Sequence, residues 1–220
     1  MKAADLARFI DHTLLKPNAT KAEVEQLCQE AVQYGFKGVC VNPSMIGYAA
    51  ELLAGQGDVL PIAVVGFPLG ASQSSTKAFE AKEAVLAGAK EIDMVINIGA
   101  LKVKDYEAVF QDLLAVIDEV RPVPVKVILE TCYLTRDEKV IAAALAKVAG
   151  AAFVKTSTGF AEKGASEEDV ALLKAVAGEG LEVKAAGGIR TYEDAVKMLK
   201  AGATRLGSSQ SVSIVTRKEK

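Results

Sequence analysis

The chain is poor in the residues on which metal, disulfide and nucleic-acid chemistry depend. Its 220 residues include one histidine, His12, and three cysteines, Cys28, Cys40 and Cys132. Catalytic zinc and iron sites usually draw on several histidines, so a metal site is not expected. Scattered cysteines in so small a number build no disulfide framework, and they suit a reducing compartment. His12, beside Asp11, reads as a satisfied or solvent-facing ring.

Charge of one sign is lacking as well. A formal net charge of −2 argues against nucleic acid or an anionic membrane as the main partner, while one basic pocket for a small acidic substrate stays open. No apolar run approaches bilayer length. Asp5 and Arg8 interrupt the N-terminal stretch where a secretory signal needs an apolar core, so a cytoplasmic protein is expected. A Gly-x-Gly-x-x-Gly fingerprint after the first strand and a Walker A loop are both missing, which removes two nucleotide-binding folds.

What is present is a regular alternation. Half the residues are apolar and a quarter charged, enough for one domain with a large core and no linker. Strand-like runs fall at residues 9–14, 38–41, 62–66, 91–98, 123–131, 152–156, 181–185 and 204–206. Amphipathic segments separate them; in one, Val170, Leu173 and Val176 recur at helical spacing. Capping boxes open helices at Thr20 with Glu23, Thr135 with Glu138, Ser166 with Asp169 and Thr191 with Asp194. Asn42-Pro43 adds a cap with proline at the first helical position. Gly35, Gly55, Gly88, Gly150 and Gly202 close apolar-periodic runs. Strand–helix alternation of this kind predicts an α/β protein: a single (β/α)8 TIM barrel over residues 1–220, with a short N-terminal helix and a charged tail at roughly 216–220.

A weak repeat fixes heights within that barrel. The segments LAGA (86–89), VAGA (148–151) and KAGA (200–203) each end a helix and open an even-numbered strand. Five residues on from each glycine stand Asp93, Lys155 and Gly207, and the same count from Gly35 gives Cys40. Even strands contribute one layer of side chains inside a barrel, normally Val, Ile or Leu. Here the layer reads Cys, Asp, Lys, Gly, a poor core and a reasonable pocket floor. The alternate residues Val39, Val41, Ile92, Met94, Val154 and Leu206 are expected to face the helices.

Lys126 and Lys184 also sit in strands. Active sites in these barrels lie at the C-terminal strand ends, and the distance to the next loop ranks Lys155 and Lys184 above Lys126. A lysine attacks a carbonyl only as the free amine; burial and a neighbouring cation both favour that form. Lys155 and Lys184, on adjacent strands, are expected to act on each other in this way, with Asp93 shuttling protons. A plain ion pair remains the competing reading. Cys40, a small buried thiol, is assigned no catalytic role. After strands seven and eight, Gly187-Gly188 and Gly207-Ser208-Ser209 precede helical runs, where this fold usually holds phosphate.

The stretches IDHTLLKP (10–17), VCVNP (39–43), EIDMVINIGALK (91–102), KVILET (126–131), FVKTSTGF (153–160), VKAAGGIRT (183–191) and RLGSS (205–209) together resemble the deoxyribose-phosphate aldolases, a family of Schiff-base aldolases. The resemblance spans nearly the whole chain. It implies reversible cleavage of 2-deoxy-D-ribose 5-phosphate to acetaldehyde and D-glyceraldehyde 3-phosphate without a cofactor. By the same resemblance Lys155 is the Schiff-base lysine, Asp93 and Lys184 the proton-relay pair, and Asp11 an additional acid. Gly159, Gly187, Gly188, Gly207, Ser208 and Ser209 resemble the phosphate contacts. A phosphosugar is the implied ligand and a homodimer or higher homo-oligomer the implied assembly. Gln210 and Ser211 stand where the family usually runs through small residues to a glycine. The rival functions for such a pocket are a phosphosugar isomerase on the same barrel and a non-catalytic phosphosugar-binding protein.

Overall fold

The expected strands form in order and close on themselves. The computed structural model describes residues 2–216. A 3-10 helix, Ala3–Phe9, leads into β1 (Ile10–Leu14), α1 (Lys21–Tyr34), β2 (Gly38–Val41), α2 (Pro43–Leu53), β3 (Leu60–Val65), α3 (Ser74–Leu86) and β4 (Glu91–Val95). Then come α4 (Ile98–Lys102), α5 (Tyr106–Val120), β5 (Val125–Ile128), a 3-10 turn (Thr131–Tyr133), α6 (Arg136–Ala149) and β6 (Phe153–Lys155). The chain ends with α7 (Glu167–Ala177), β7 (Glu182–Ala186), α8 (Tyr192–Lys200), β8 (Arg205–Ser208) and α9 (Ser211–Val215). The strands are parallel and make a closed barrel in sequence order, β8 pairing with β1. Residues 217–220 of the expected charged tail lie outside the described residues. Among the described residues, no helix is long and apolar enough to cross a membrane.

Local chemistry explains the boundaries. Thr20, Thr135 and Thr191 make reciprocal capping boxes with Glu23, Glu138 and Asp194, and Ser166 accepts from the Asp169 amide. Asn42 departs from expectation: its side chain does not cap α2 but donates to the Leu15 carbonyl. Gly35 and Gly150 end α1 and α6 in the left-handed conformation, where the absence of Cβ removes the steric penalty. β4 stops before Ile98 because Asn97 caps α4. β5 stops at Ile128, earlier than the apolar run predicts, because Glu130 turns the chain with φ 54°.

The alternation along each strand separates two interiors. Val39, Val41, Ile92, Met94, Val154 and Leu206 belong to the core between barrel and helices. Burying each such side chain contributes about 1.5–3 kcal/mol, which helps offset the cost of a charged barrel lumen. Inside the barrel the apolar cluster is small: Leu15, Cys40, Ile62 and Val64. The pairing registers step by about one residue per strand around the ring, as a shear of about eight requires. The inward residues therefore stack in layers. From the bottom these are Gly38, Glu91, Phe153 and Arg205; then Asp11, Ile62, Lys126 and Lys184; then Cys40, Asp93, Lys155 and Gly207.

Candidate active site

The third layer is the one that counting from the glycines predicts, and its chemistry centres on Asp93. This carboxylate is fully buried at the middle of β4. Lys155 Nζ and Lys184 Nζ both donate to its Oδ2, each at 2.8 Å, while Lys126 Nζ donates to Oδ1 at 2.6 Å. One carboxylate oxygen thus bridges two amines, a geometry through which a proton can pass from one to the other.

Loop distance rightly sets Lys126 below Lys155 but not below Lys184. Lys126 lies inside the barrel, fully buried, in the same layer as Lys184 and one layer below Lys155. It also pairs with Glu91 at 2.7 Å.

Beneath Asp93 the network continues. Lys184 pairs with Asp11 at 2.5 Å, and the Arg205 guanidinium joins Asp11 to Glu91 at 2.9 Å each. Arg205 and Lys126 both lie near the Phe153 ring. Glu91 and Arg205 are two residues before Asp93 and Gly207 on their strands, so the period of a strand, applied to the reactive layer, already points to them.

The electrostatics follow from this packing. Burial works against ionised Asp93, yet Lys126, Lys155 and Lys184 outweigh it and hold the carboxyl well below the usual range. Asp11 is likewise lowered: burial opposes the charge, but Lys184, Lys126 and Arg205 prevail. Lys184 contradicts one expectation. Burial favours its neutral form, but Asp11 and Asp93 together raise its pKa, which favours the charged amine. The mutual lowering expected of Lys155 and Lys184 therefore does not hold for Lys184. The Cys40 thiol is pushed up to about 11 by burial and by Asp93, leaving no thiolate near neutral pH.

A cavity of about 250 Å³ opens above this layer at the C-terminal ends of the strands. Lys155 reaches it, whereas Lys126, Lys184 and Asp93 are sealed below. Gly159, Gly187, Gly188, Gly207, Ser208 and Ser209 line the same space. Gly187 and Gly188 both have positive φ, 85° and 77°, which a side chain rarely adopts. A Cβ on Gly207 would stand 3.3 Å from the Lys184 stem, so the glycine corner of the layer is the passage through which that lysine extends. Asp11 belongs to the network from below and does not line the cavity.

Lys16, Glu130 and Thr158 escaped the sequence reading, whereas Arg190 is legible there as either a neighbour of the phosphate loops or a surface charge. Lys16 and Arg190, both exposed, bring positive charge to the cavity. Glu130 is buried and accepts from the Thr158 amide at 3.3 Å and from the Thr158 hydroxyl. Its pKa is raised by burial, against the opposing pull of Thr158 and Lys155. Thr158, which lines the cavity, therefore directs its hydroxyl proton away from the ligand space and accepts the Phe160 amide.

Similarity to known proteins agrees with this geometry. The family profile described as DeoC/LacD family aldolase matches residues 6–211. A deoxyribose-phosphate aldolase of Macrococcus caseolyticus is 54% identical over 215 residues, covering 98% of this chain and 97% of its own. That of Thermococcus kodakarensis is 55% identical over 218 residues, covering 98% and 97%. Among solved structures, the tetrameric deoxyribose phosphate aldolase of Aeropyrum pernix superposes with a TM-score of 0.90 at 35% identity, covering 97% of this chain and 91% of its own.

Proposed function

Since this chain belongs to the DeoC/LacD aldolase family, we propose that it cleaves 2-deoxy-D-ribose 5-phosphate reversibly, with Lys155 as the Schiff-base residue. One observation carries the assignment of Lys155. Of the lysines inside the barrel it alone lines the cavity, and the far wall of that cavity is made by the glycine turns after β7 and β8.

The chemistry runs from that placement. The Lys155 amine adds to the C1 aldehyde, and loss of water gives an iminium. Its positive nitrogen draws the C2–C3 bonding pair as the C3 hydroxyl gives up its proton, and D-glyceraldehyde 3-phosphate leaves. The remaining enamine takes a proton at C2, and hydrolysis frees acetaldehyde and the amine. The proton steps at nitrogen need a donor and acceptor beside Lys155. Asp93 Oδ2, shared with Lys184 at equal distance, supplies that path. Lys126 holds Asp93 in place, and Asp11 holds Lys184.

The backbone amides of Gly188 and Ser209, with Lys16 and Arg190, suit a phosphate. A cytoplasmic homo-oligomer belongs to the same reading, supported by the tetrameric Aeropyrum pernix relative.

Incubation with 2-deoxyribose 5-phosphate tests the activity directly. Acetaldehyde and glyceraldehyde 3-phosphate are expected in equal amounts. Formation of an isomeric sugar phosphate without acetaldehyde contradicts the reading, as does binding without turnover.

A further inference from the structure

His12 is buried on the outer face of β1, away from the lumen, and nothing in the proposed reaction uses it. Its ring nonetheless has polar partners on both edges. Nε2 lies 2.8 Å from the Glu30 carboxylate on α1, and Nδ1 lies 3.0 Å from Ser211 Oγ at the start of α9. The Phe36 ring packs beside it, with centroids 5.1 Å apart.

Ser211 leads into the cavity wall. Its hydroxyl donates to the Ser208 carbonyl at 2.9 Å, and the His12 backbone pairs with Ser208 in the β1–β8 ladder. The Ser208 hydroxyl donates to the Ile189 carbonyl at 2.7 Å and accepts the Gln210 amide at 2.9 Å. That commits Ser208 to joining the turns after β7 and β8 and leaves Ser209, exposed at the cavity, to meet a ligand. Because Glu30 only accepts, Nε2 carries the ring proton, and a neutral ring offers Nδ1 as an acceptor. The single proton of the Ser211 hydroxyl is then shared between two acceptors, the Ser208 carbonyl and His12 Nδ1. Burial lowers the His12 pKa, although Glu30 and Ser208 pull the other way, which agrees with a neutral ring.

We infer that His12 is a positioning residue: through Ser211, and anchored by Glu30, it sets the place of the turn after β8 that receives the substrate phosphate. This rests on the phosphosugar reading above. A histidine suits the position because few side chains present two hydrogen-bonding atoms on opposite edges of a rigid, largely apolar plate.

The test separates phosphate binding from chemistry. For His12→Phe, KM for 2-deoxyribose 5-phosphate and the inhibition constant of inorganic phosphate are both expected to rise about tenfold. The kcat and the rate at which borohydride traps acetaldehyde, which has no phosphate, are expected to stay within about twofold. Glu30→Gln and Ser211→Ala should shift the same two constants in the same direction, and they carry the test if His12→Phe does not fold. Unchanged KM and phosphate inhibition in all three variants overturns the inference. So does a fall in kcat and trapping as large as the rise in KM, which marks general damage. A wild-type protein that neither traps acetaldehyde nor is inhibited by phosphate counts against the phosphosugar reading instead.

Discussion

Lys155→Ala is expected to lower cleavage of 2-deoxyribose 5-phosphate by about ten-thousandfold or more, with the barrel still folded. The amine is the electron sink for carbon–carbon cleavage, and no neighbour can replace it. Lys184 shares the same Asp93 oxygen but is sealed one layer down and held charged by Asp11 and Asp93. Lys126 is equally buried and committed to Asp93 and Glu91. Removing Lys155 leaves Asp93 with both of those partners, so the carboxylate is not stranded. Circular dichroism and thermal melting should therefore stay close to wild type while turnover disappears. Retention of a tenth of the wild-type rate contradicts the assignment.

Asp93→Asn is expected to damage both activity and stability. Three lysine amines converge on this carboxylate in a buried lumen. Neutralising it leaves buried cations uncompensated, a change that costs about 3–5 kcal/mol. It also removes the acceptor between Lys155 and Lys184, for which a loss of about 10²–10⁴ in rate is expected. The pH dependence gives a sharper reading. The folded-state pKa of Asp93 is depressed from its ordinary value of 3.8. Its stabilisation is therefore present above that value and lost as pH falls through the lower folded one. Denaturant unfolding at neutral pH and near pH 3 should show the gap between wild type and variant narrowing in acid. A gap that is constant or widens in acid contradicts the sign.

How much of this was legible in the sequence depends on what each residue is measured against. Lys155 and Asp93 are read at the right height because Gly150 and Gly88, at the ends of α6 and α3, fix where the following strand enters the barrel. The outward set from Val39 to Leu206 follows from alternation alone. Lys184 was ranked level with Lys155 because distance to the next loop ignores the stagger of the strands; the ring registers set it, with Lys126, one layer below Lys155. The stop of β5 could not be read from its apolar run, since the left-handed turn at Glu130 is made by a residue that ordinarily avoids it. His12 meets Ser211 across nearly the whole chain, and neither spacing nor periodicity carries information across that distance. The charge state of Lys184 was lost for a similar reason, because its second carboxylate, Asp11, comes from the first strand.

Borohydride reduction in the presence of acetaldehyde, followed by peptide mapping, tests the central claim most directly. The two-carbon adduct is expected on Lys155 in stoichiometric yield, with Lys126 and Lys184 unmodified in the folded protein. An adduct on Lys184 or Lys126, or none on Lys155 while cleavage activity is intact, contradicts the account.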